Sequence, residues 1–109
     1  MATVYKVLGQ SNPAANTDTT LYTVPAANSA VISTLNICNR AQSSDNFYVA
    51  VRPAGASIDA QHYLAFQTVI PGYDSISMTI GMTLGNTDVV TVRANTANIS
   101  FSLFGSEIY

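Results

Sequence analysis

Apolar residues return at every second position along most of this chain, and no stretch keeps the longer period of an amphipathic helix. The cleanest case is Ser75–Ile80, where Ile76, Met78 and Ile80 alternate with Ser75, Ser77 and Thr79. Side chains of a strand point alternately to its two faces, so this pattern predicts a strand with one face packed and one wet. Phe47, Val49 and Val51 alternate in the same way with Tyr48, Ala50 and Arg52. Val90 and Val92 oppose Val89, Thr91 and Arg93, and Ile99, Phe101 and Leu103 alternate with Ser100 and Ser102.

Turn residues cut this pattern into short pieces. The sequence predicts strands over 3–8, 20–24, 29–39, 47–52, 62–69, 75–80, 88–94 and 99–103. Gly9, Pro25, Pro53, Pro71-Gly72 and Gly105 read as stops or turns. Gly81 and Gly85 bracket what reads as a bend containing Met82 and Leu84, and Ser106–Tyr109 reads as an arm. In Ser29–Asn39, Leu35 and Ile37 share a face with Val31 and Ser33, while Ile32 and Cys38 point the other way. In the fifth segment Leu64 and Phe66 fall on one face, Tyr63 and Ala65 on the other. About eight strands at spacings of about 8 to 12 residues predict an all-β fold. The expectation is a single antiparallel β-sandwich over 1–109, jelly-roll or immunoglobulin-like. Phe47, Ile76, Met78, Ile80, Val90, Val92, Phe101 and Leu103 are expected between its two sheets.

Only 9% of the residues are charged, against about 25% in an average soluble domain. The net charge is -2, so copies repel one another weakly. That composition, with exposed strand edges, favours a subunit packed against other chains, including a homo-oligomer. Lys6, Arg40, Arg52 and Arg93 form no cluster, which argues against binding nucleic acid through its phosphates. No apolar run approaches the about 20 residues of a membrane-spanning helix. The start of the chain lacks a signal peptide's basic-then-apolar pattern, so synthesis in the cytoplasm is expected.

No residue set predicts catalysis, a metal site or a cofactor. Asp59 lies three residues before His62, the lone histidine, but no nucleophile elbow accompanies them. The pair reads as surface structure. The six carboxylates are dispersed, without the repeated Asp spacing of a calcium loop. Cys38, the only cysteine, reads as a small buried hydrophobe. Asn98-Ile99-Ser100 fits a glycosylation sequon, which reads as chance here. Tyrosine suits interfaces, since a rigid apolar ring carries a polar tip. Tyr73, after a Pro-Gly turn, and Tyr109 are expected at intersubunit contacts, with Tyr48 on the outer face of its strand. Tyr5 and Tyr22 are expected to be half-buried.

The stretches LYTVPAANSAVISTLNICNR, FYVAVRPAGASI, TLGNTDVVTVRA and ISFSLFGSEI resemble, in that order, small virion structural proteins of tailed bacteriophages, marine and cyanophage-like. The resemblance covers most of residues 19–108. It implies a β-sandwich that decorates or cements a capsid, contacting the major capsid protein. The alternative it implies is a tail, fibre or baseplate component that binds a host glycan or surface protein. Its shared residues are architectural, and Arg40 and Arg52 end strands where they could pair with a neighbour's carboxylates. The function expected is therefore that of a non-enzymatic virion structural protein.

Overall fold

The computed structural model describes residues 2–79 and 81–109. Its strands are β1 (Thr3–Ser11), β2 (Thr19–Thr23), β3 (Ser29–Asn39), β4 (Asp45–Arg52), β5 (Tyr63–Ile70), β6 (Ser75–Met78), β7 (Met82–Leu84), β8 (Val89–Ala94) and β9 (Ile99–Ile108). Two short 3-10 turns, Pro53–Gly55 and Ala60–His62, lie in the β4–β5 connector. One sheet has the order β1-β9-β3-β6, with β7 also pairing β3; the other has the order β2-β8-β4-β5. Every ladder is antiparallel.

This order decides between the two sandwich types. β6 and β7 succeed one another along the same strand, β3, and occupy one position in the sheet. Besides the β3–β9 and β4–β8 ladders that complete each sheet, the strands pair β1 with β9, β2 with β8, β3 with β6–β7, and β4 with β5. The chain is in effect one long hairpin whose successive strand pairs fall alternately into the two sheets. That is a jelly roll. An immunoglobulin-like sandwich would keep its first two strands in one sheet, whereas here β1 and β2 lie in different sheets.

Phe47, Val90, Val92, Phe101 and Leu103, which the alternation predicts to face inward, lie in the core. Phe47 and Phe101 meet edge to face between the sheets, with ring centroids 6.4 Å apart and planes at 71°. Val90, Val92 and Leu103 are fully buried around them. Ile76 and Met78 are only partly buried and pack on the core's flank, because β6 is the edge of its sheet. Ile80 lies outside the described residues.

Simple alternation misplaces two strands, and bulges are the reason. The β3–β9 ladder shifts between Ile32 and Thr34, so Ser33 is an extra residue. A bulge of this kind resets the in-out parity. Ala30, Ile32, Leu35 and Ile37 therefore all face the core, and Val31 is left on the outside at 38% exposure. Ser33 steadies the bulge by donating its hydroxyl to the Phe104 carbonyl at 3.1 Å. Cys38, opposite Ser100 and Ser75, is half-buried on the outer face and not a core residue. The β4–β5 ladder shifts twice, and Gln67 takes a left-handed backbone (φ 51°). In consequence Ala65 is buried, Leu64 and Phe66 are exposed, and Tyr63 meets Phe66 on the same side of the sheet.

The glycines expected to stop β1 and β9 instead lie inside them. A Cβ on Gly105 would stand 2.2 Å from the Val31 carbonyl oxygen, and one on Gly9 would stand 2.2 Å from that of Leu21. Both are glycine because another backbone passes too close for any side chain. β9 accordingly runs on to Ile108. The segment 106–109 is no arm, for Thr3 pairs with Ile108, and Tyr109 exchanges backbone hydrogen bonds with Ala2. Met82–Leu84, expected as a bend, is the strand β7, with Met82 and Leu84 buried.

Candidate functional site

The outer face of the β2-β8-β4-β5 sheet carries a groove with an aromatic half and a polar half. Tyr48 on β4 stands directly across the ladder from Arg93 on β8, whose guanidinium lies 5.6 Å from the ring centre. Tyr48, Tyr63 and Phe66 form a closed triad of rings, with centroids 4.9 to 6.4 Å apart. Tilted and edge-to-face contacts of this kind hold each ring in place through its quadrupole. Ile58, Asp59 and Ala60 of the connector wall off a hollow of about 500 Å³ beside Tyr63 and Phe66.

Ile58 also borders a second hollow of about 300 Å³, whose walls are Asp18, Thr20, Arg52, Ser57 and Thr91. Arg52 is fixed there by its own loop. Its Nε donates to Thr91 Oγ1 at 3.1 Å, and its Nη1 donates to the carbonyls of Gly55 and Ala56. Arg93 approaches Asp18 at 3.8 Å, a loose ion pair with both side chains more than a third exposed.

The other sheet presents a plainer surface. Tyr5 (83% exposed), Val7 and Val31 stand around the half-buried Phe104 on its outer face. Tyr5 is not half-buried as expected. Among the described residues β1 has a neighbour on one side only, and the residue opposite Tyr5 is the small Ser106.

The expected interface residues are distributed over three places. Tyr48 and Arg52 share the groove. Tyr73 is 74% exposed in a left-handed turn (φ 54°), and its N–H donates to the Ala41 carbonyl beside Arg40. Arg40 donates from Nε to Ser100 Oγ and from Nη2 to the Ala97 carbonyl. Tyr109 is half-exposed beside Ser29, at the opposite end of β3. Eleven residues of strand, roughly 35 Å, separate those two ends. Phe66, Tyr63, Arg93 and Tyr5 were not expected in a site. Arg93 was legible as an outward residue of its strand, but its pairing with Tyr48 depends on register.

Asp59 and His62 cap a turn. The Asp59 carboxylate accepts the Ala60 N–H at 2.8 Å, while the His62 Nδ1 accepts the Asp59 N–H at 3.0 Å. This is a reciprocal capping box closing the 3-10 turn. Among the described residues no three His, Cys, Asp or Glu side chains converge.

A buried ionic cluster lies away from the groove. Tyr22 on β2 and Glu107 on β9 are both buried, and the phenol donates to Glu107 Oε2 at 2.5 Å. Lys6 Nζ meets Oε1 of the same carboxylate at 2.8 Å. Burial pushes the Tyr22 phenol well above its ordinary value, helped by the hydrogen bond to Glu107 and by its charge. The hydrogen bonds from Lys6 and then Tyr22 hold the Glu107 carboxyl below its ordinary value, against the opposing effect of burial. Each group keeps the charge state the bond needs, so this is a clasp between the sheets.

No family model matches the chain, and no curated protein matches it.

Proposed function

We propose that this chain is a non-enzymatic structural subunit of a tailed-phage virion, a capsid decoration or cement protein. It adds protein–protein contacts across joints between major capsid subunits, and such contacts resist the pressure of packaged DNA. The observation that carries this reading is the exposed apolar patch of Tyr5, Val7, Val31 and Phe104 on a sheet face. Contiguous patches of this kind mark interaction surfaces. The cation beside it, Lys6, is held by Glu107, so the patch is electrostatically quiet. Low overall charge suits a chain surrounded by others.

Association by edge pairing is disfavoured. β1, β2 and β5 each carry a register shift, and the fourth edge is divided between the short strands β6 and β7. Irregular edges make poor templates for another strand. The contact therefore runs through side chains on the sheet face. Tyr5→Glu combined with Val31→Glu is expected to abolish incorporation into particles while leaving the melting temperature of the isolated chain nearly unchanged. Undiminished incorporation of the doubly substituted chain sinks the reading.

The groove favours a second reading, a tail, fibre or baseplate module that binds a host surface. Copy number per virion, from quantitative mass spectrometry, separates the two. Hundreds of copies fit a shell protein, and tens fit a tail or fibre component.

A further inference from the structure

The two hollows on the outer face of the β2-β8-β4-β5 sheet are neighbours that share Ile58 as a wall, an aromatic half and a polar half of one grooved surface. We infer that this groove binds a neutral saccharide, with a sugar ring laid on Phe66 and Tyr63 and its hydroxyls directed at Asp18 and Arg52. The inference rests on the binding-module reading of the groove and is independent of the apolar patch on the other sheet.

Shape supports it first. Each hollow lies in or near the range of about 300 to 1,000 Å³ that small-molecule sites occupy. The aromatic floor is set before any ligand arrives. Phe66 is 60% exposed, yet its ring is held at 4.9 Å from Tyr63 and 5.1 Å from Tyr48. A rigid, half-exposed ring binds the apolar C–H face of a pyranose with little loss of side-chain freedom.

The polar half supplies what vicinal hydroxyls need. Arg52 has Nε and Nη1 committed to Thr91 and to loop carbonyls, and its Nη2 makes no hydrogen bond to the described residues. Asp18 offers a half-exposed carboxylate whose ionic contact is with Arg93 at 3.8 Å. A fixed donor and a carboxylate held only by a loose ion pair, in one hollow, match the paired donor and acceptor of a diol.

Charge and backbone select among occupants. Arg52 and Arg93 balance Asp18 and Asp59 along the groove, which disfavours a phosphate-rich or strongly anionic ligand. A peptide strand would need a regular edge to pair with, and β5 is interrupted by two register shifts and the left-handed Gln67. A ligand rich in hydroxyls, without net charge and with apolar ring faces fits both halves.

The test is a titration of the full chain with glucose, galactose, mannose and N-acetylglucosamine, followed by amide chemical shifts. The expected result is saturable shifts confined to the groove, around Asp18, Ile58 and Phe66, with at least one of these sugars. Phe66→Leu keeps apolar bulk without the ring and should weaken that sugar about tenfold or more, as should Asp18→Asn. Tyr5→Glu, on the other sheet, should change the affinity less than about twofold. No saturable groove shift with any of the four sugars at about 100 mM, where affinities of Kd 10 mM or tighter would show, overturns the proposal. So does a groove shift seen only with glucuronate, or one unchanged in Phe66→Leu. Failure here with Tyr5 and Val31 still required for particle incorporation would leave the shell-contact reading intact.

Discussion

Tyr22 donates its phenolic hydrogen to the buried Glu107 across 85 residues of sequence, and the bond crosses from one sheet to the other. Lys6 closes the same carboxylate from β1. The clasp thus joins β2, β9 and β1 at the point where the chain passes between sheets.

It should make stability depend on pH in two opposite ways. Glu107 has a lowered folded-state pKa, so its contribution is complete above the ordinary carboxyl value of 4.5 and is lost as pH falls through the lower folded value. Tyr22 has a raised folded-state pKa, so its contribution is complete below the ordinary value of 10.0 and is lost as pH climbs through the higher folded value. Melting temperature measured across both limbs should therefore drop below pH about 4.5 and above about 10. Glu107→Gln should flatten the acid limb and Tyr22→Phe the alkaline one. Tyr22→Phe should also cost about 1.5–3 kcal/mol at neutral pH, the range for a hydrogen bond to a charged group. Acid and alkaline limbs unchanged in both variants would show that the clasp does not control stability.

Asn39 organises the end of the sandwich that carries Tyr73. Its side chain, 1% exposed with its residue, donates from Nδ2 to the carbonyls of Ser43, Ile70 and Pro71 and accepts the Ala41 N–H at Oδ1. Asn39→Asp should destabilise more than Asn39→Ala in urea unfolding. It turns a carboxylate toward three carbonyl oxygens, whereas alanine only removes bonds, at about 2–4 kcal/mol. The reverse order would mean that the site relaxes around the charge.

Gly105 and Gly85 offer a controlled pair. Alanine at Gly105 would press on the Val31 carbonyl, whereas the nearest atom to a Cβ on Gly85 is an Asp88 oxygen at 3.7 Å. Gly105→Ala should cost about 1–3 kcal/mol or more by overpacking, and Gly85→Ala less than about 0.5 kcal/mol. Equal midpoints in guanidinium would show that β9 and β3 are free to separate.

Cys38 should react with a water-soluble maleimide in the folded state, because it is half-buried on an outer face. Cys38→Ser should shift stability by less than about 0.5 kcal/mol, since both cross-strand neighbours are already serines. Modification only at the rate of global unfolding would place the thiol inside.

Alternation in the sequence determined that this chain is a two-faced, all-β sandwich, and it identified Phe47, Val90, Val92, Phe101 and Leu103 as core. The reason is local, because strand geometry sends successive side chains to opposite faces. The limits of Ser29–Asn39 were legible for the same reason, bounded by the Pro25 turn and the loop after Arg40. Tertiary structure decided the rest. Ser33 resets the parity of β3, and the shifts in β5 bring Tyr63 and Phe66 together. Neither bulge has a marker in sequence, because an extra residue is defined only against its partner strand. Gly9 and Gly105 look like stops, yet they continue their strands where a distant backbone comes close. The groove exists because register sets Tyr48 across from Arg93 and a capped connector places Ile58 between two hollows. The Tyr22–Glu107 clasp likewise waits for the roll to bring β2 and β9 into contact.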